Sequence, residues 1–146
     1  MNAIIDAKEK IKKLANLSEL DKKEIAMENG LADNIGKGFK DKKDEQIKST
    51  QLRKFFDEIK DIERKLKEKE NIWENVSDDF HLLRPKLAYA NARKLIPNDF
   101  FDLLSECMNK VDTETSNNEQ KKENYKRFVN FLEAIVAYHK YYTQKR

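Results

Sequence analysis

From Leu52 onward, apolar side chains return in steps of three and four residues, at Leu52, Phe55, Ile59, Ile62 and Leu66, with Phe56 alongside and Trp73 at the far end. This spacing lines one face of an α-helix, so the segment reads as a long amphipathic helix capped by Ser49 or Thr50. Its outer side pairs Asp61 with Lys65 and Glu63 with Lys67, acid first, which is the order that supports a helix. Arg53 and Lys54, near its start, read as uncompensated.

The same period recurs along the chain. Ile4, Ile5, Ile11 and Leu14 predict a helix over about 2–15, and Ser18, with Asp21 three residues on, caps a second carrying Leu20, Ile25, Met27, Leu31 and Ile35. Residues 36–48, which hold Gly36 and Gly38, read as a mobile lysine-rich loop. Pro85 suits the first turn of a helix running to Leu95, with Leu87, Ala88 and Leu95 facing a core and Lys86, Tyr89, Ala90 and Arg93 on another face. Pro97-Asn98 then stops one helix and starts another through Val111. The apolar-free stretch 112–123 reads as an exposed connection. From Tyr125 a last helix carries Phe128, Phe131, Leu132, Ile135, Val136, Tyr138 and Tyr142, and residues 144–146 fray.

Only three glycines and two prolines punctuate 146 residues, too few for a many-stranded sandwich or a glycine-rich phosphate loop. The expectation is an all-α single domain over 1–146, a compact antiparallel bundle of five to six helices. No apolar run approaches the roughly 18–20 residues that span a bilayer and no signal-peptide core follows Met1, so the chain reads as soluble and cytoplasmic.

The chemistry for catalysis is sparse. Cys107 has no second cysteine and reads as a small apolar helix residue. His139 falls on the apolar line of the last helix and reads as a core or boundary histidine. His81 stands beside Asp78 and Asp79, but no metal-ligand motif of recognised spacing accompanies them, and no nucleophile elbow or phosphate loop occurs. The chain reads as a non-enzyme with no cofactor and no metal.

Binding is what remains. The formal net charge is only +3, yet residues 84–96 carry +4 with no acid, 97–120 carry −5 and 121–146 carry +5. A basic acid-free segment with a tyrosine suits an RNA backbone, since Arg and Lys neutralise phosphates and an aromatic ring can stack on a base. Arg84, Lys86, Tyr89 and Arg93 are the candidates there, with Arg53 and Lys54 on the long helix and Lys126 and Arg127 on the last. A helical adaptor or homodimer without an RNA role is the competing reading, docking a partner helix on the 52–73 or 128–142 stripe.

Three stretches carry a resemblance: Thr50-Gln51-Leu52-Arg53-Lys54-Phe55-Phe56; Leu83-Arg84-Pro85-Lys86-Leu87-Ala88-Tyr89-Ala90 with Arg93 shortly after; and Phe128-Val129-Asn130-Phe131-Leu132-Glu133-Ala134-Ile135-Val136-Ala137-Tyr138-His139-Lys140. In this order and spacing the chain resembles the small helical subunit of type III-A (Csm-type) CRISPR interference complexes over about 49–142. Residues 1–48 lie outside the resemblance, as a variable helical region with its basic loop, and Asn91 stands where a smaller residue is expected. The resemblance implies a non-catalytic subunit of an antiviral ribonucleoprotein. Such subunits stack in several copies along guide RNA and target RNA beside other subunits of the complex, and hold the target backbone without sequence specificity. It places the family's basic surface on Arg53, Lys54, Arg84, Lys86 and Arg93. Self-association, with neighbouring copies or as a homodimer, is compatible with either reading.

Overall fold

Asn2, in extended backbone, accepts the amide N–H of Ile4 on its side-chain oxygen at 2.8 Å and so starts a helix that buries Ile4, Ala7 and Ile11. In the computed structural model, which describes residues 2–41 and 49–144, this helix is α1 (Ala3–Lys12). After it come α2 (Lys22–Ala26), α3 (Leu31–Asp41), α4 (Ser49–Glu68), α5 (Ser77–Ala92), α6 (Asn98–Asn109) and α7 (Asn118–Gln144). Six of these seven helices have ten residues or more, and no strand occurs among the described residues. The all-α bundle expected from the apolar periods is the observed architecture.

The long helix α7 is the spine, packed against α3, α4 and the N-terminal segment. Trp73, Phe80, Tyr125 and Phe128 meet edge-on or tilted, with ring centroids 5.2 to 6.1 Å apart, and join α7 to the start of α5. Tyr125, fully buried, donates its hydroxyl to the carbonyl of Ile59 on α4 at 2.7 Å, so its polar end is satisfied inside the core. Asn124 is a buried polar hub: its amide donates to Asn16 Oδ1 at 2.8 Å and the Val111 carbonyl at 3.0 Å, and its oxygen accepts from Ser18 N at 2.9 Å. His139 is buried against the Phe39 ring at 5.1 Å, in keeping with a core histidine, and Cys107 is buried on α6.

Several boundaries differ from the sequence expectation, each for a physical reason. Residues 36–41, expected in a loop, continue α3, because Gly36 is where α3 and α7 touch: a Cβ there would lie 2.8 Å from Tyr138 Cβ. The rest of that expected loop, 42–48, lies outside the described residues, as do 145 and 146. Asp21, and not Ser18, caps α2, accepting from Lys23 N at 3.1 Å. α4 stops at Glu68, and Glu70 and Asn71 at φ 64° and 58° turn the chain, so Trp73 enters the core from the turn and not from the helix stripe. α5 starts at Ser77, eight residues before Pro85, which therefore sits inside the helix on its exposed side, where its missing N–H leaves the His81 carbonyl without its intrahelical donor. α7 starts at Asn118, since Asn117 Oδ1 accepts Gln120 N at 2.9 Å and replaces apolar anchoring with a cap.

Candidate nucleic-acid interface

The turn after α4 decides how α4 and α5, which carry five of the eight candidate residues, lie together. Trp73 pins it: the backbone N–H donates to Asn118 Oδ1 at 2.7 Å and the indole N–H to Asp112 at 3.3 Å. α5 then returns antiparallel to α4, with Asp79 beside Lys65 at one end and Lys86 beside Glu58 towards the other. Between them runs an open groove of about 690 Å³ lined by buried Ile62 and Leu83 and by exposed Leu82. A second concavity of about 500 Å³ shares Lys54, Glu58 and Lys86 with it and extends to Tyr89 and Arg93.

Five of the eight candidates come together here. Arg53 and Lys54 project from the first turns of α4, and Lys86 and Tyr89 of α5, with Arg93 just past its end, follow one stripe at steps of three and four, all of them exposed. The stripe about a quarter-turn round the helix, Phe80, Leu83, Leu87 and Ala90, is buried. This corrects two expectations: Ala88 is exposed and Ala90 buried, because the core-facing line continues in helical steps from Phe80.

The other three lie elsewhere. Arg84 is on the α6 side of α5 and donates to Asn109 Oδ1 at 2.9 Å. Lys126, exposed on α7, has Glu123 at 3.8 Å. Arg127, half-buried, donates to the carbonyls of Ser18, at 2.7 Å, and Leu20, and so ties α7 to the N-terminal segment. Asn91 also faces away, its amide donating to Ile96 O and Asn98 Oδ1, both at 2.9 Å, across the α5–α6 junction.

The groove is not uniformly basic. Asp57, Glu58 and Asp61 of α4 line it, and Lys65 stands 3.5 Å from Asp61 and 3.6 Å from Asp79, so that half is close to neutral. Lys86 Nζ is 3.7 Å from Glu58. Arg53, Lys54 and Arg93 form no ion pair among the described residues, which leaves the start of α4 and the end of α5 as the positive part of the face. Sequence reading missed the acids, although Asp57, Glu58 and Asp61 follow Arg53 and Lys54 at helical steps and so share their face. The trio His81, Asp78 and Asp79 is not gathered: His81 Nε2 is 2.8 Å from Asp112, while Asp79 faces Lys65.

Fold and face together define a small all-helical protein that presents cations on the outer sides of its helices. The chain belongs to the Csm2 Type III-A family, whose model matches residues 21–145. It is therefore a structural subunit of the type III-A CRISPR effector complex and associates with the other subunits of that complex. The match reaches back to Asp21, ahead of the stretch 49–142 that carries the resemblance. Neither the curated proteins nor the solved structures give a match. No helix among the described residues is long and apolar enough to cross a membrane.

Proposed function

We propose that this subunit is non-catalytic and holds the backbone of the target RNA, alongside the guide, without reading its sequence. The observation that carries the reading is the convergence of Arg53 and Lys54 from α4 with Lys86 and Tyr89 from α5, and Arg93 at its end, on one face. An effector loaded with different guides must hold any target, and only phosphates and sugars are the same in all of them. Point charges on rigid helices meet that need. Copies of the subunit stack along the guide and target RNA in the cytoplasm, in antiviral defence, and cleavage belongs to other subunits. Arg84, Lys126 and Arg127 are not needed for this reading.

The adaptor reading loses most of the surface on which it depended. Leu52, Phe55, Ile59, Ile62 and Leu66 of one stripe and Phe128, Phe131, Leu132 and Ile135 of the other are buried in the chain's own core.

The test is a type III-A complex assembled with Arg53→Ala and Arg93→Ala in this subunit, its target-RNA affinity measured on several unrelated sequences from low to moderate salt. Affinity is expected to fall about equally for all of them, and the slope of log K against log salt to become shallower by ~0.7–0.9 for each phosphate that is no longer neutralised. A loss that follows target sequence, or an unchanged slope and affinity in a fully assembled complex, overturns the reading.

A further inference from the structure

We propose that the concavity between Lys54 and Arg93 holds one unpaired nucleotide of the bound RNA, its base laid on the Tyr89 ring and its phosphate between Lys54 and Lys86. The inference rests on the RNA-backbone reading above and adds a site and a ligand class to it.

The space is of nucleotide scale. Its volume of about 500 Å³ falls within the roughly 300–1,000 Å³ usual for small-molecule sites. Pro85, Leu95 and Phe55 contribute apolar lining, and Lys54, Lys86 and Arg93 supply three cations against one acid, Glu58. That mixture suits an anionic ligand with a flat apolar part.

Tyr89 is the reason to assign a base and not a backbone phosphate alone. It is 65% exposed, the most exposed large apolar or aromatic side chain among the described residues. The Arg93 guanidinium carbon lies over its ring, 5.7 Å from the centroid. The cation attends one face of the ring, and the side chain is otherwise largely open to solvent beside Pro85 and Lys86. A paired, stacked base already has both faces covered, so the partner for an open ring is an unpaired one. Stacking tolerates every base, because each has a π-face, and is therefore compatible with a subunit that must accept any sequence. Lys86 and Glu58 stay partly exposed at 3.7 Å, so a phosphate can take the ammonium from the carboxylate.

The test uses the assembled effector complex and target RNAs carrying a single 5-iodouridine, moved one position at a time along the strand and irradiated in the near ultraviolet. The result expected is an adduct on the Tyr89 side chain, mapped by mass spectrometry, from at least one position. In parallel, Tyr89→Ala is expected to weaken target binding by about fivefold or more while Tyr89→Phe, which keeps the ring, holds it near the wild-type value. Both variants change an exposed side chain, and an unchanged helical circular dichroism spectrum certifies the fold. Absence of any Tyr89 adduct, or equal affinities for the Ala and Phe variants, overturns the proposal. If Arg53→Ala with Arg93→Ala still weakens binding in that case, only the nucleotide pocket falls; if it does not, the RNA-backbone reading falls with it.

Discussion

Lys86 Nζ and Glu58 Oε2 face each other at 3.7 Å across the groove between α5 and α4, at the point shared by its two concavities. The pair is partly exposed, and its attraction is of the order of 0.2–1 kcal/mol. It nevertheless sets the charge that an incoming phosphate meets. On the proposed RNA-facing surface Glu58 offsets one of the few cations there.

Glu58→Gln should therefore strengthen target-RNA binding by the assembled complex, by about two- to fivefold at low salt, the equivalent of releasing an exposed ion pair. The gain should shrink as salt rises and screens the groove. Titration at two salt concentrations checks this, and weaker binding by the variant at low salt would count against the proposed face.

Arg127 should matter to stability and not to RNA. Its guanidinium donates to the Ser18 and Leu20 carbonyls and so holds the segment between α1 and α2 to α7. Charge-assisted hydrogen bonds of this kind contribute roughly 1.5–3 kcal/mol, so Arg127→Ala should lower unfolding free energy by about 2 kcal/mol. Urea unfolding reads this as a lower midpoint with an unchanged slope. An equal midpoint would mean that the tie contributes nothing.

Two glycines of α3 should respond in opposite directions. At Gly36 a methyl would come within 2.8 Å of Tyr138 Cβ and 3.0 Å of the Tyr138 carbonyl carbon, so Gly36→Ala must push α3 from α7 and should cost about 1–3 kcal/mol. At Gly38 nothing lies within 4 Å, and Gly38→Ala should stabilise by about 0.5–1 kcal/mol through helix propensity alone. Thermal unfolding of the two single variants separates the effects, and a shift in the same direction for both would contradict the packing.

Acid should loosen the junction of α5, α6 and α7 through Asp112. Burial pushes its carboxyl up, but hydrogen bonds from Lys121, His81 and Trp73 outweigh burial and hold it below the ordinary 3.8. A carboxyl lowered in the folded state contributes stability that is present above the unfolded value and lost as pH falls through the folded one. Asp112→Asn should thus be less stable than the parent at pH 6, by about 1–2 kcal/mol, and the gap should close below about pH 4. Melting temperatures from pH 2 to 7 check it; a gap that stays constant across that range would rule the linkage out.

How much of the site was legible follows from where charges sit on helices. Lys86, Tyr89 and Arg93 share a stripe by spacing alone, and Arg53 and Lys54 stand out as adjacent cations in the first turns of α4. Arg84 looks equivalent to Lys86 in the sequence, being two residues away in the same acid-free run. It is the position of α6 that separates them, since α6 brings Asn109 to Arg84 and leaves Lys86 to the groove. Arg127 likewise reads as a surface cation until the Ser18 and Leu20 carbonyls, over a hundred residues away in the chain, are placed beside it.

By itself the sequence determined the helical class and most of the core, because apolar residues at steps of three and four can bury together only on a helix, and that rule is local. It misjudged the ends of helices wherever a distant partner replaced a local signal. Glycine at 36 serves the approach of α7 and does not break α3, and Trp73 is drawn out of the α4 stripe by Phe80 and Tyr125. The tertiary structure alone decided which sides of α4 and α5 meet, with their cations on one face and Glu58 among them. Side-chain charges from separate helices sum only across space, and no spacing within either helix encodes the distance between Lys86 and Glu58.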